Sequence, residues 1–169
     1  MSKFFRNLET KLNMKIISLK YFTFFIIFQN FIHAHCQVPC GIYNDAIRIQ
    51  QIIENFETIE KSMDQIRSLS KNIDIQSTNQ LNRWILTKEK HAGDIQIIIA
   101  EYFLTQRIKE NDSDYIKKLT FLQKILVTAM KCKQTVDSKY VKSGNDLIKS
   151  FSEIYLDNHG KKYLDQLSG

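Results

Sequence analysis

The sequence predicts an all-α protein in which four amphipathic helices form an antiparallel bundle. The 169 residues include one proline and five glycines, so residues that interrupt helices or mark turns between strands are scarce. Apolar residues recur at steps of three and four along four segments, which is the spacing of a single helix face. Four such faces joined by short connections can be buried only against one another, and this requirement predicts the bundle.

The first two helices are predicted from apolar residues between positions 45 and 106. The first helix begins at Asp45 and ends at Leu69, before a break at 70–74. Ser77 is the predicted N-terminal cap of the second helix, which ends near Gln106. The first apolar stripe contains Ile49, Ile52, Ile53, Phe56, Ile59, Met63, Ile66 and Leu69. The second contains Leu81, Trp84, Ile85, His91, Ala92, Ile95, Ile98 and Tyr102.

The third and fourth helices follow a polar turn at 109–112. Ser113 is predicted to start the third helix, which ends around Gln134. The fourth contains Gly144 as a weak point and has Gly160 as its stop. The third stripe contains Tyr115, Leu119, Leu122, Ile125, Leu126, Ala129 and Met130, and the fourth contains Tyr140, Val141, Leu147, Ile148, Phe151, Ile154 and Tyr155. With no internal repeat, residues 44–169 are predicted to form one bundle.

Residues 1–34 have the pattern of a removable leader. The apolar run YFTFFIIFQNFI, residues 21–32, follows two lysines and precedes Ala34, as in secretory signal peptides. The run is shorter than the ~20 residues that cross a bilayer, so we expect cleavage after Ala34 and no stable membrane anchor. The expected location is therefore periplasmic or extracellular. Met14 is an alternative start of the chain.

The formal net charge of +6 does not indicate nucleic-acid binding. Residues 1–34 supply five basic side chains and one acidic one, so the remaining residues carry a charge of about +2. That excess is too small for a general phosphate-binding surface.

The chain concentrates its rare residues in HCQVPCGIY, residues 35–43. Cys36 and Cys40 are too close in sequence for a useful disulfide, and a structural zinc site usually needs a second ligand cluster that the sequence lacks. After cleavage, His35 offers an α-amine and an imidazole. The cysteines offer two thiolates and the deprotonated Cys36 amide nitrogen. Such square-planar nitrogen and sulfur donors suit Ni(II) or Cu(II), and an axial nitrogen suits the higher oxidation state of a redox pair.

The same nine residues resemble the nickel hook HCxxPCGxY of nickel superoxide dismutase at every specified position. The stretches QLNRWILTKEKHA, EYFLTQR and LVTAMKCKQ are similar to the cyanobacterial and marine-bacterial branch of that family, so the resemblance extends to about Leu147. It implies a homohexamer of four-helix bundles with one nickel ion per subunit. The implied reaction converts superoxide to dioxygen and hydrogen peroxide by Ni(II)/Ni(III) cycling.

The resemblance also assigns roles within the hook. It implies that His35 supplies the amine and the axial imidazole, Cys36 an amide nitrogen and a thiolate, and Cys40 the second thiolate. Pro39 is expected to be cis and to turn the hook. Tyr43 is the candidate catalytic residue beside the open axial face. Maturation is expected to need a peptidase and a source of nickel.

Residues outside the hook are assigned only through the resemblance. Gln50 and His91 correspond to the glutamate and arginine that hold the axial imidazole in better-known relatives, with Gln51 as an alternative to Gln50. Without the resemblance, His91 is simply a helix histidine that faces the core or an interface. Tyr102 is either a buried packing residue or a further neighbour of the metal.

Three other features have structural interpretations. We predict that Trp84 lies in the core and that Cys132 is a small buried hydrophobic residue without a metal. The lysines of KEK, residues 88–90, are a solvated face or part of a positive entrance that attracts superoxide.

Two other functions fit the sequence. An exported helical protein could bind nickel or copper through the same hook without turnover, or an uncut leader could anchor a protein with no metal requirement. Because some members of the family are cleaved without export, a cytoplasmic location after proteolytic maturation is the alternative to export.

Overall fold

A computed structural model of the chain describes residues 45–71 and 74–167, which belong to one compact unit. These residues form five α-helices and a π-helix, with no strand among them, so the all-α prediction is confirmed. The helices are α1 (Asp45–Leu69), α2 (Ile75–Ile97), the π-helix (Ile98–Arg107), α3 (Tyr115–Gln134), α4 (Lys139–Tyr155) and α5 (Asn158–Leu167). The prediction of four helices missed α5.

Helix α1 packs against α2, α4 and α5, and α3 packs against α2, α4 and the π-helix. Side-chain contacts show the direction of each pair. The start of α1 meets the end of the π-helix through Asp45 and Tyr102, and a later turn meets α2 through Asn55 and His91. Asp45 also meets Tyr155 at the end of α4. Helix α1 is therefore antiparallel to both α2 and α4.

The core is built from apolar side chains on every helix. The buried α1 residues repeat at steps of three and four, as the sequence predicts, because that spacing keeps them on one face. The core residues of α1 are Ala46, Ile49, Ile52, Phe56, Ile59, Met63 and Ile66. Those of the other segments are Ala92, Ile95, Ile99, Tyr102, Phe103, Ile108, Leu122, Ile125, Ala129, Cys132, Val141, Ile148, Phe151 and Leu164.

Several side chains predicted to face the core lie outside it. Ile85 and Met130 are exposed, and Trp84 is only partly buried. For the two α2 residues the reason is positional, because α2 buries side chains only from Lys88 onward. Periodicity indicates which face of a helix is apolar, but not how far along the helix a neighbour covers it.

The predicted helix ends also need correction. Asp74, not Ser77, caps α2, since Asp74 Oδ1 accepts a hydrogen bond from the Ser77 amide at 2.7 Å. Helix α3 follows Asp114 rather than Ser113. Gly160 does not stop α4, which ends at Tyr155. It lies in the first turn of α5, where its amide donates to Asp157 Oδ1 at 2.7 Å.

Lys88 is buried, contrary to the prediction of a solvated face for residues 88–90. Its Nζ donates to the carbonyl oxygens of Cys132, at 2.8 Å, and of Lys133, and pairs with the Glu89 carboxylate at 2.9 Å. The last carbonyls of a helix have no partner within the helix and carry partial negative charge. Lys88, which lies on α2, therefore provides hydrogen-bond donors to two carbonyl oxygens at the C-terminal end of α3. Lys90 is exposed and pairs with Asp94 at 2.5 Å.

Gly144 allows α4 to approach α1 closely. A Cβ atom at this position would lie 2.3–2.8 Å from three ring atoms of Phe56. Phe56 is fully buried, so its ring fills the space that a side chain at position 144 would need. Gly144, predicted as a weak point of α4, is therefore required at this position because a larger residue would clash with Phe56.

The predicted leader, residues 1–34, and the predicted hook, residues 35–43, lie outside the described residues. Within the described part of the chain, no helix combines the length and the apolar character needed to span a membrane.

Candidate metal centre and its surroundings

The predicted ligands His35, Cys36 and Cys40, together with Pro39 and Tyr43, precede the described residues. Their donor set, an amine, an amide nitrogen, an imidazole and two thiolates, has the mixture of nitrogen and sulfur that suits nickel. Among residues 45–71 and 74–167, no three His, Cys, Asp or Glu side chains come together as a metal site. The structure therefore describes the framework from which the predicted hook extends.

The framework begins at Asp45, two residues after Tyr43. Tyr102 and Tyr155 donate hydrogen bonds to the Asp45 carboxylate, the first to Oδ1 and the second to Oδ2 at 2.8 Å. Arg107 forms an ion pair with the same carboxylate, with Nε 3.0 Å from Oδ1. We call Asp45, Tyr102, Arg107 and Tyr155 the Asp45 cluster. It joins the first turn of α1 to the π-helix and to the last turn of α4.

The π-helix places two members of the Asp45 cluster together. Its backbone bonds link residues five apart, and at its end the Ile108 amide donates to the Phe103 carbonyl at 3.0 Å. In an α-helix, side chains three and four apart are neighbours instead. With the wider turn, Arg107 Nη2 donates to the Tyr102 hydroxyl, five residues earlier, at 2.8 Å.

Two guanidinium groups lie over the Tyr102 ring. The Cζ atoms of Arg48 and Arg107 are 5.2 Å and 4.8 Å from its centroid, within the range of cation–π attraction. Arg48 also donates to Gln51 Oε1 at 2.9 Å, which holds it along α1. The two guanidinium groups and the Asp45 carboxylate together carry a net positive charge beside the start of α1.

The phenols of the Asp45 cluster remain protonated at neutral pH. Burial raises the pKa of Tyr155, and the adjacent Asp45 carboxylate raises it further. Burial and the hydrogen bond to Asp45 also raise the pKa of Tyr102. The hydrogen bond to Tyr102 raises the pKa of Arg107. Each phenol therefore keeps the proton that it donates to the carboxylate.

Packed aromatic rings support the two phenols from the core side. Phe103 contacts both Tyr102 and Tyr155 edge to face, with centroids 5.2 Å and 5.4 Å apart. Phe151 stacks on Tyr155 at 4.9 Å. Because Phe103 and Phe151 are fully buried, they restrict the positions of both tyrosine rings.

His91 of α2 and several residues of α1 line an open cleft of about 440 Å³. Its Nδ1 lies 2.6 Å from Asn55 Oδ1, and Asn55 Nδ2 donates to the Gln51 carbonyl at 2.8 Å. The second bond orients the Asn55 amide with its oxygen toward the imidazole, so Nδ1 carries the proton and Nε2 is an acceptor. Burial lowers the pKa of His91 below its usual value, which favours this neutral form.

The two glutamines predicted as alternatives occupy different surroundings. Gln51 lines the cleft with His91, whereas Gln50 donates to Glu54 Oε1 at 3.4 Å. The structure thus brings Gln51, but not Gln50, to the His91 cleft.

Cys132 is fully buried, as predicted, and burial raises its thiol pKa to about 11.

The lowered pKa of His91 predicts an acid-dependent loss of stability. As pH falls below about 6.5, the unfolded chain takes up a proton at this residue before the folded chain does, so the free energy of unfolding decreases. In metal-free protein, His91→Gln should remove this part of the decrease. Urea unfolding at pH 8, 6.5 and 5.5 measures it, with exposed His159→Gln as the control. Equal pH dependence in wild type and His91→Gln would contradict the prediction.

Sequence analysis did not single out Asp45, Arg48, Arg107 and Tyr155, which the structure brings together around Tyr102 and the start of α1. An acidic residue in the first turn of a helix is expected from the helix dipole alone, so Asp45 carried no distinctive signal. The contact between Arg107 and Tyr102 depends on the π-helix, which periodicity does not reveal. Tyr155 was indistinguishable from other apolar residues of α4.

Comparison with known proteins identifies the family. A family model described as nickel-containing superoxide dismutase matches residues 30–159, a range that includes the hook motif and reaches the first residues of α5. No curated protein and no solved structure matches the chain. Since the family model matches well over half of the chain, this protein belongs to the nickel-containing superoxide dismutases, oxidoreductases with a nickel cofactor and superoxide as substrate.

Proposed function

We propose that residues 35–43 form the nickel hook of this superoxide dismutase. The family match across a complete HCxxPCGxY motif carries the proposal. His35 holds the metal through its α-amine and imidazole, Cys36 through its amide nitrogen and thiolate, and Cys40 through its thiolate, while Pro39 turns the chain between the cysteines. When bound, one nickel ion per subunit supplies one-electron chemistry by alternating between Ni(II) and Ni(III).

The proposed organisation has three parts. Residues 1–34 are a leader that a maturation peptidase removes after Ala34, residues 35–43 are the hook, and residues 44–169 are an antiparallel four-helix bundle to which α5 is added. Contacts of α1 with α2 and α4, and of α3 with the same two helices, support the bundle. The apolar run before Ala34 supports export, with cytoplasmic maturation as the alternative. Nickel is loaded after cleavage, because only cleavage frees the α-amine of His35.

Side chains near the start of α1 prepare the site for a small anion. Arg48 and Arg107 outweigh the Asp45 carboxylate and leave a net positive charge at the start of α1, and a local positive potential raises the arrival rate of superoxide. Tyr43 is proposed as the catalytic residue that donates a hydrogen bond to the anion or to water and limits access to the thiolates. Limiting access matters, since peroxide oxidises thiolates irreversibly beyond the sulfenic stage.

Residues of α1 and α2 are proposed to orient the axial imidazole. His91 presents Nε2 as an acceptor and Gln51 shares its cleft, which makes Gln51 a better candidate than Gln50 for a hydrogen bond to His35. Tyr102 contributes indirectly, through its bond to Asp45.

A homohexamer is proposed from the family, and the surface of α2 supports association. Ile75, Leu86 and Ile97 are 92%, 68% and 49% exposed. Their spacing of eleven residues is close to three helical turns, which places all three on one face of α2. These exposed side chains on one face of α2 are available for contacts between subunits.

The first test is maturation, metal content and turnover measured on one sample. Protein produced from Met14 with a matching peptidase and nickel should begin at His35 by intact mass, contain one nickel per subunit and accelerate superoxide decay. Protein retaining the leader should bind no nickel and should not accelerate superoxide decay, because its His35 nitrogen remains in a peptide bond.

Two results would support other functions. A chain that begins at His35 and binds nickel, yet leaves superoxide decay at the background rate, would be a nickel or copper carrier. A chain that keeps its leader and binds no metal, yet accelerates superoxide decay, would contradict the hook itself.

A further inference from the structure

We propose that copies of this protein associate head to tail, with an acidic face on α1 of one copy meeting a basic face on α3 of the next. The inference rests on the homohexamer proposed above and names the two surfaces that meet. It is carried by the separation of opposite charges onto two helices that lie on opposite sides of the bundle.

Helix α3 presents a row of exposed lysines. It contains five lysines and no acidic residue. Lys118 pairs with Asp112 at 2.5 Å and Lys133 donates to Gln96 at 2.9 Å, so these two lysines are engaged within the subunit. No carboxylate in the described part of the chain forms an ion pair with the other three. Their spacing of seven residues is close to two helical turns, so they form a row ~21 Å long. This basic face consists of Lys117, Lys124 and Lys131.

Helix α1 carries the opposite charge on its outer side. Segment 54–64 contains four acidic side chains and one basic one, Lys61, so one positive and four negative charges give a net charge of −3. The four carboxylates are exposed and recur at steps of three and four, which keeps them on one side of the helix. Asp64 also pairs with Arg67 on the same helix. This acidic face consists of Glu54, Glu57, Glu60 and Asp64.

The two faces point away from each other. Helix α1 packs against α2, α4 and α5, and α3 also packs against α2 and α4, so α1 and α3 lie diagonally across the bundle. Each turns its buried residues toward the shared core and its charged face outward. The two faces of one copy therefore cannot neutralise each other, but the acidic face of one copy can meet the basic face of the next. Contacts between two different surfaces repeat from copy to copy and close into a ring when the rotation permits.

Charge favours this pairing over the other possible contacts. Two basic faces or two acidic faces repel each other, whereas opposite faces attract and select one orientation. The acidic segment is ~15 Å long and fits within the ~21 Å row of lysines. The outer side of α3 also exposes Ile116 and Met130, by 70% and 39%, and a second copy on this face would cover them. Single exposed ion pairs contribute little to stability, so the main effect of the two rows is to determine which surfaces meet.

Charge reversal on each face tests the inference in the mature protein, with molar mass measured by sedimentation equilibrium. The basic-face variant is Lys117→Glu, Lys124→Glu and Lys131→Glu. The acidic-face variant is Glu54→Lys, Glu57→Lys and Asp64→Lys. Each variant should lose the wild-type oligomer, because like charges then meet across the contact. A chain that carries both sets of substitutions should regain the oligomer, since each face again meets its opposite.

The control variant changes the net charge equally but away from both faces. It is Lys142→Glu, Lys149→Glu and Lys162→Glu, at three exposed lysines of α4 and α5. This variant should keep the wild-type mass, whereas its dissociation would indicate a general effect of net charge and would overturn the inference. Added salt should weaken the wild-type association, because salt screens exposed charges.

Loss of the oligomer in each single-face variant and its recovery in the combined variant support the inference. It is overturned if the wild type is a monomer, if folded single-face variants keep the wild-type mass, or if the folded combined variant does not regain it. Circular dichroism checks folding, and Lys124→Glu and Glu57→Lys decide alone if a triple variant does not fold.

A monomer whose α3 lysines bind vesicles of anionic lipid would overturn the inference and identify a membrane surface as the partner. Nickel content and turnover of the wild type judge the proposed function of residues 35–43 separately, because molar mass is measurable whether or not the protein binds metal.

Discussion

Cys40→Ser should abolish nickel binding and superoxide turnover together. A serine hydroxyl is not deprotonated at neutral pH and is a poor ligand for a metal held by soft sulfur donors. The variant should therefore contain no nickel after loading, and superoxide should decay at the background rate. Metal analysis and superoxide decay on the same mature protein measure both effects.

Cys132→Ala is the matched control for Cys40→Ser. Cys132 is fully buried in α3 and burial holds its thiol protonated, so removing this sulfur should leave the nickel content unchanged. If Cys40→Ser keeps its nickel, or if Cys132→Ala loses it while remaining folded, the assignment of the ligands is wrong.

Gly144→Ala should destabilise the folded chain, although alanine is the better helix former. The new Cβ would lie 2.3–2.8 Å from the ring of Phe56, and this ring is fully buried in the core. Overpacking of this kind costs about 1–3 kcal/mol, more than the ~0.5–1 kcal/mol that alanine contributes to a helix interior. Urea unfolding of metal-free protein should show a lower midpoint.

Gly93→Ala provides a control of opposite sign. Gly93 also lies inside a helix, α2, but the nearest atom to its added Cβ is Lys133 Nζ at 3.6 Å, an ordinary contact. This variant should gain about 0.5–1 kcal/mol from the lower entropy of the unfolded chain. The interpretation of Gly144 fails if both variants change stability in the same direction.

Much of the helical framework was predictable from apolar spacing. The bounds of α1 and the C-terminal end of α3 agree with prediction, whereas α4 ends at Tyr155, five residues before the predicted stop at Gly160. The cap of α2 at Asp74 was missed because serine and aspartate are both favoured N-cap residues, so the sequence did not distinguish Asp74 from Ser77. Helix α5 was missed because Gly160, usually a stop, lies in its first turn.

Of the candidate site, the sequence predicts the ligands, which stay a prediction, but it does not predict the contacts that Asp45 makes at the start of α1. The donor atoms in residues 35–43 are predicted from the chemistry of the residue types in that motif, without reference to the rest of the chain. The partners of Asp45 come from positions 102, 107 and 155, and no local pattern relates those positions to it.

The sequence by itself determined the helical class, the apolar face of α1 and the resemblance to a nickel-containing family, because these depend on residues close together in the chain. Only the tertiary structure decided that Lys88 is buried beneath the end of α3, that Gly144 makes room for Phe56, and that a π-helix turns Arg107 toward Tyr102. These contacts join residues whose proximity depends on how whole helices pack. Packing is a property of the complete set of side chains, so local spacing cannot reveal it.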